Sequence, residues 1–273
     1  MKVLLLTCAL FCARAETPGI HEIMLRVAVN QAKTQEARRE FVYRQKQVVT
    51  MRRAGGQVSR EEHREYEVAP ADRGSHRKLL ALQGRYRKNG DYILFDKTDT
   101  GDTGPVIGIE AGLIQGFSDD MTDDHDSRDG ISNNQFPLTD QQQLKYDFRL
   151  LGQETVRGRR VYRVAFQPRH RYDWKGEALI DAEEYQPVFV TTRVAHGLPL
   201  AVKMLLGTDI RGYGFSVSYQ KFDDGAWFPV SYGGEFELRA LFFYKRTISI
   251  SMTNSDFHRA DVNSRVTYLV SQP

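Results

Sequence analysis

Apolar residues recur along this chain in two periods, and the switch between them marks the first boundary in the fold. From Ile20, the residues Ile23, Met24, Val27 and Ala28 fall at the i, i+3, i+4, i+7 and i+8 spacing of an amphipathic helix. Thr17 can cap that helix and Pro18 can occupy its first turn. Between Ala37 and Phe41 the period shortens to two. Phe41 to Arg52 then reads as a strand with Val42, Arg44, Lys46 and Val48 on one face and Phe41, Tyr43, Val49 and Met51 on the other. Gly55-Gly56 predicts a tight two-residue turn, which sets Lys46 opposite Glu65, Arg44 opposite Glu67 and Tyr43 opposite Val68.

The same alternation continues in hairpins. His76 to Arg87 and Asp91 to Phe95 flank Lys88-Asn89-Gly90, Tyr146 to Glu154 and Arg159 to Gln167 flank Arg157-Gly158, and Gly176 to Ile180 and Pro187 to Val194 flank Asp181 to Gln186. Tyr213 to Phe222 and Trp227 to Leu238 meet across Asp223-Asp224-Gly225, and Ala240 to Met252 adds a further strand. Gly104 to Asn134 breaks the pattern, with Ile107, Ile109, Leu113 and Ile114 giving way to an acidic stretch that reads as one or two short helices or a crossing loop. Many alternating strands with one helix pose a geometric problem, because a twisted sheet has an apolar face to cover. One helix and a crossing segment cover it only if the sheet curls around them. The expected fold is mainly β (α+β), a curved antiparallel sheet forming an open half-barrel, its concave face covered by the N-terminal helix and the crossing segment.

The start of the chain changes where this fold works. Met1-Lys2 is basic, Val3 to Phe11 is apolar, and Ala13-Arg14-Ala15 is a small-x-small cleavage site. The apolar run is too short to span a bilayer. Residues 1–15 therefore read as a signal peptide and 16–273 as one exported β domain, periplasmic and soluble. Cys8 and Cys12 fall inside the removed segment and fit a lipid-attachment site poorly, so the mature chain has no thiol for a disulfide, a nucleophile or a metal.

Charge narrows the partners. The chain carries 38 Lys+Arg and 35 Asp+Glu, and losing Lys2 and Arg14 brings it close to neutrality, which excludes nucleic-acid binding by bulk charge. No stretch after Ala15 approaches the ~18 apolar residues of a transmembrane segment.

Leu150-Leu151-Gly152-Gln153-Glu154-Thr155-Val156-Arg157-Gly158-Arg159-Arg160-Val161-Tyr162-Arg163-Val164-Ala165-Phe166, then Trp174 to Asp181 and Tyr185-Gln186-Pro187-Val188, resembles bacterial outer-membrane lipoprotein-sorting proteins of the LolA/LolB-like superfamily. The likeness is clearest from Tyr146 to Val194 and extends to Ile20 through Arg87. Toward the C-terminus, Leu206 to Gly212 and Trp227-Phe228-Pro229-Val230 fit an uncharacterised subgroup. The resemblance implies a curved antiparallel sheet with helices in its concavity and a periplasmic lipid or lipoprotein guest, with a further envelope protein as possible partner. An apolar cavity or its lid is then expected at Ile20, Ile23, Met24 and Val27 together with Tyr162, Val164 and Phe166.

Catalytic and metal-binding patterns are thin. The sequence holds no Gly-x-Ser-x-Gly elbow, His-Glu-x-x-His pair or Walker loop, and no cofactor or enzymatic activity is expected. The run Asp119, Asp120, Asp123, Asp124, Asp126, Asp129 resembles a calcium loop, but Arg128 stands where a third oxygen ligand belongs, so it reads as a solvated acidic loop. His21, His63, His76, His125, His170, His196 and His258 show no paired ligand spacing. Arg169-His170-Arg171 with Tyr172 and Trp174 could touch lipid phosphate, or be a plain basic loop at a strand end.

Two functions follow. One is a carrier that sequesters a lipid, acyl chain or lipoprotein in an apolar cavity. The other is a non-enzymatic structural or interaction module of the cell envelope with a filled core. Large aromatics meeting at the centre of the concave face would separate the two.

Overall fold

The structure is a computed structural model, and it describes residues 18–70, 75–98, 110, 112, 114, 137–169, 174–194, 209–212, 214–222, 225–240 and 244–260. The helical stripe forms α1 (Ile20–Arg38), which begins after Gly19. Its cap differs from expectation. Gly19 is the N-cap and offers no side chain, and Ile23 N–H donates to the Gly19 carbonyl at 3.1 Å. The sequence signal placed the cap two residues early because Thr17-Pro18 satisfies the same pattern.

Among the described residues twelve strands follow. They are β1 (Phe41–Arg53), β2 (Val58–Pro70), β3 (Ser75–Lys88), β4 (Asp91–Thr98), β5 (Tyr146–Val156), β6 (Arg159–Pro168), β7 (Trp174–Asp181), β8 (Pro187–Val194), β9 (Asp209–Arg211), β10 (Gly214–Lys221), β11 (Trp227–Ala240) and β12 (Tyr244–Arg259). A one-turn helix, α2 (Asp140–Gln143), precedes β5, and the Thr139 hydroxyl accepts from the Gln142 N–H. All the strands lie in one antiparallel sheet ordered β4-β3-β2-β1-β12-β11-β10-β8-β7-β6-β5, with β9 pairing beside β11. The sheet does not close. Among the described residues β4 and β5 each pair on one side only, which makes it a curved, open half-barrel.

The first hairpin keeps the expected register and changes the turn. Lys46 lies opposite Glu65, Arg44 opposite Glu67 and Tyr43 opposite Val68. Arg53 N–H donates to the Gln57 carbonyl at 2.8 Å, so the loop is Ala54-Gly55-Gly56, one residue longer than two. A bulge at Ser59 absorbs the extra residue, since Arg52 faces Val58 while Met51 faces Arg60. Gly55 and Gly56 have φ of 93° and 83°, a conformation that favours glycine.

Further bulges between Leu150 and Gly152, Leu179 and Ile180, and Ser218 and Tyr219 bend the strands. Aromatic rings seat over two inward glycines. A Cβ on Gly84 would meet the Phe95 ring at 2.7 Å, and one on Gly176 would meet the Phe166 ring at 2.7 Å. The main core lies between α1 and the inner residues of β5 to β8 and β10 to β12, where Ile23, Val27, Val161, Val164, Ile180, Val190, Val217 and Ile248 are fully buried. Of the segment expected to cross the sheet, Ile114 is buried in this core and Glu110 accepts from Arg246 Nε at 2.6 Å. The acidic run Asp119 to Asp129 and the leader expected at residues 1–15 lie outside the described residues.

Candidate functional site

The two halves of α1 are held differently. Its C-terminal half is tied by polar bonds. Asn30 donates to the Glu184 carbonyl at 2.6 Å, Gln31 to Gln186 at 2.8 Å, Gln186 to the Thr34 hydroxyl at 2.8 Å, and Arg38 Nε to the Trp227 carbonyl at 2.6 Å. The β7–β8 turn that shares the first three of these bonds is itself fixed, because the Asp181 carboxylate accepts the backbone N–H groups of Glu183 and Glu184. Burial works against the charged form of Glu184, yet hydrogen bonds from Trp227 and Lys221 hold its carboxyl below the ordinary carboxylate range.

The N-terminal half of α1 packs inward through apolar residues and borders a cleft. Gln143 on α2 donates to the Met24 carbonyl at 2.9 Å and to the Leu138 carbonyl at 3.0 Å, which stands α2 against α1. Between α1, α2 and edge strand β5 lies a cleft of about 400 Å³, within the range of small-molecule sites, roughly 300–1,000 Å³. Met24, Ala28, Tyr146 and Phe148 line its depth, and Leu25 and Leu144 line its rim. Those two leucines are 56% and 75% exposed. At the mouth, Arg169 Nε donates to Asp147 Oδ1 at 3.0 Å, with His21 and Asp140 nearby in the lining.

The seven residues expected at a cavity or lid all meet in one cluster. Ile23, Met24, Val27, Tyr162, Val164 and Phe166 are buried there and Ile20 packs against them. Only Ile20 and Met24 also line the cleft. Aromatics fill the concave face: Phe215 of β10 stacks on Tyr232 of β11 with centroids 5.4 Å apart toward the middle of the sheet, and Phe166 meets Tyr146 edge-on at 5.9 Å toward its β5 edge. Leu25 and Leu144 were not singled out by the sequence, since neither lies on a periodic stripe. Of the basic loop, Arg169 lines the cleft, whereas His170, Arg171 and Tyr172 lie outside the described residues.

A second inner feature carries charge. The Glu62 carboxylate accepts from Arg60 Nε at 2.5 Å and from Arg64 Nη2 at 2.7 Å, and all three side chains are buried. Arg60 also stacks over Tyr86 and Phe95, 5.5 and 5.4 Å from their centroids. Buried Gln45 and Gln47 continue the polar surface on β1. At the far end of the inner face, burial first and then the Glu110 carboxylate push the Tyr244 phenol up to about 12. Among the described residues no group of three or more His, Cys, Asp or Glu could hold a metal, and no helix is long and apolar enough to cross a membrane.

No known family profile matches the chain, and no curated protein matches its sequence. Solved structures do. A Vibrio parahaemolyticus domain described as outer-membrane lipoprotein-sorting aligns over 88% of this chain and 94% of its own, at 13% identity and TM-score 0.37. A DUF1329 family protein from Desulfovibrio piger covers 89% and 94% at 14% identity and TM-score 0.34. A LolA superfamily protein from Nitrosomonas europaea covers 85% and 94% at 10% identity and TM-score 0.32.

Proposed function

We propose that this protein is a periplasmic carrier that binds a lipid, an acyl chain or the acylated end of a lipoprotein, and acts by sequestration without making or breaking a bond. One observation carries the reading: a cleft with an apolar floor whose rim exposes Leu25 and Leu144 beside α1. Exposed leucines facing an apolar floor lose unfavourable hydration when a chain lies between them, and each methylene buried gains ~0.8 kcal/mol. The cavity residues proposed from the sequence then divide by role. Ile20 and Met24 touch the guest, while Ile23, Val27, Tyr162, Val164 and Phe166 support the helix beneath it. Export with cleavage after Ala15, as one domain from Glu16, belongs to the same proposal.

A second reading has its own observation. The aromatics at the centre leave α1 and the sheet in direct contact, as a filled-core interaction module of the envelope requires. Binding of a fluorescent fatty-acid analogue separates the two. The carrier reading expects binding by the wild type and at least a tenfold loss in Leu144→Asp, about 1.4 kcal/mol, with melting temperature unchanged. A wild type that binds no acyl probe sinks it. N-terminal sequencing of the exported protein tests the leader, with Glu-Thr-Pro-Gly expected.

A further inference from the structure

Resting on the carrier reading, we infer that the guest is a single-chain amphiphile whose head carries both a positive and a negative charge, a zwitterionic lysophospholipid by chemical class. The size of the cleft argues for one chain, because about 400 Å³ lies near the lower end of ligand sites and the floor between Met24 and Phe148 is bounded by α1 on one side and edge strand β5 on the other.

The mouth argues for the head. On β5, Tyr146 is buried and Phe148 half-buried while Asp147, between them, is exposed, so the strand's alternation sends the rings inward and the carboxylate outward at the sheet edge, where Asp147 also lines the cleft. There Asp147 pairs with Arg169, with side-chain exposures of 72% and 56%. An exposed ion pair is weak and opens readily to a competing partner. A head with only a negative charge would take Arg169 and leave the Asp147 carboxylate beside it, with Asp140 also in the lining, a like-charge arrangement that opposes binding. A head with both charges gives its phosphate to the Arg169 guanidinium and its ammonium to Asp147, replacing one ion pair with two. The guanidinium fork matches phosphate geometry.

The test is displacement of the bound fluorescent fatty-acid analogue from the full-length exported protein by palmitoyl lysophosphatidylcholine, by palmitate, and by dipalmitoyl phosphatidylcholine vesicles, the single-chain lipids held below their micelle thresholds. The lysophospholipid is expected to displace the probe at roughly tenfold lower concentration than palmitate, the gain of one charge-assisted hydrogen bond. Asp147→Asn should erase that preference and strengthen palmitate binding by removing the opposing carboxylate, whereas Arg169→Gln should weaken both single-chain lipids. Both positions are exposed, so melting temperatures should match the wild type. Equal displacement by palmitate, or no gain for palmitate in Asp147→Asn, overturns the zwitterionic head. Displacement by the two-chain lipid at the lysophospholipid's concentration overturns the single chain. A wild type that binds no probe overturns the carrier reading itself and this inference with it.

Discussion

On one side of β1 the concave face is apolar: Ile248, Ile250 and Met252 of β12 and Phe236 of β11 run on through Val217, Val190 and Val164, in one core cluster with Ile23, Met24 and Val27 of α1. On the other side β2 presents Arg60, Glu62 and Arg64 to the same face, and all three are buried too. The contrast shows two ways of closing one surface. Hydrophobic burial is non-directional and tolerates a partner that shifts, as α1 must if a guest enters beside it. A buried carboxylate between two guanidinium groups has one good geometry, and losing any member leaves charge without water. The apolar half is therefore the half that can yield, and the charged arm is the half that fixes register.

The largest expected effect breaks the charged arm. Glu62→Ala removes the carboxylate that holds both buried guanidinium groups and should cost about 3–5 kcal/mol, read by denaturant unfolding. Replacing Arg60, Glu62 and Arg64 together with Met, Leu and Met should restore most of that loss. A triple variant as unstable as the single one would show that the trio is more than mutual compensation.

Next is the apolar half. Ile23→Ala leaves a cavity under α1 at a fully buried position, and about 3 kcal/mol of stability should go with it. A loss below about 1 kcal/mol would mean the helix settles into the gap, sharpening the view that this half is deformable.

The third effect is local to the arm. Gly55→Val and Gly56→Val each force a β-branched residue to positive φ and should cost about 1–2 kcal/mol, seen as lower melting temperatures. Unchanged stability in the double variant would mean the turn refolds without its glycines and the Ser59 bulge, not the turn, sets the β1–β2 register.

The smallest concerns acid. The Glu184 carboxyl titrates below its ordinary value of 4.5 when folded, so the stability it adds is fully present above that value and fades as pH falls through the folded one. Glu184→Gln should flatten the fall in stability in that acid window, by well under 1 kcal/mol given how exposed the group is. An equal slope in both proteins would assign the acid sensitivity to other carboxylates.

The β1–β2 register was legible because two signals agreed, glycines at the turn and opposite charges placed to meet across it. Asn89-Gly90 and Arg157-Gly158 marked their hairpins for the same reason, each residue taking positive φ. The charged trio was hidden by the rule that works elsewhere, since Arg60-x-Glu62-x-Arg64 has the alternation of a solvent-facing strand. Only the pairing of Gln47 with Arg64 and Val49 with Glu62 shows which face it joins. The cleft was half legible. Ile20 and Met24 came from helical periodicity, but Leu144 acquires its role from where α2 stands against α1, through a Gln143 side-chain bond to a main-chain carbonyl more than a hundred residues away. Local pattern carries no such information.

The pairing of β1 with β12 sets a timetable. Phe41 lies opposite Arg259, so the centre of the sheet joins nearly the first and last described strands, and no partial chain can complete it. Loops this long close slowly, because chain entropy is lost before the contacts that offset it form. A chain synthesised from its N-terminus therefore lacks its central strand pair until β12 has been made. Under the export proposed above, such lateness is an advantage, and a circular permutant that begins at β5 and ends at β4 would join β12 to β1 early and should be exported less efficiently.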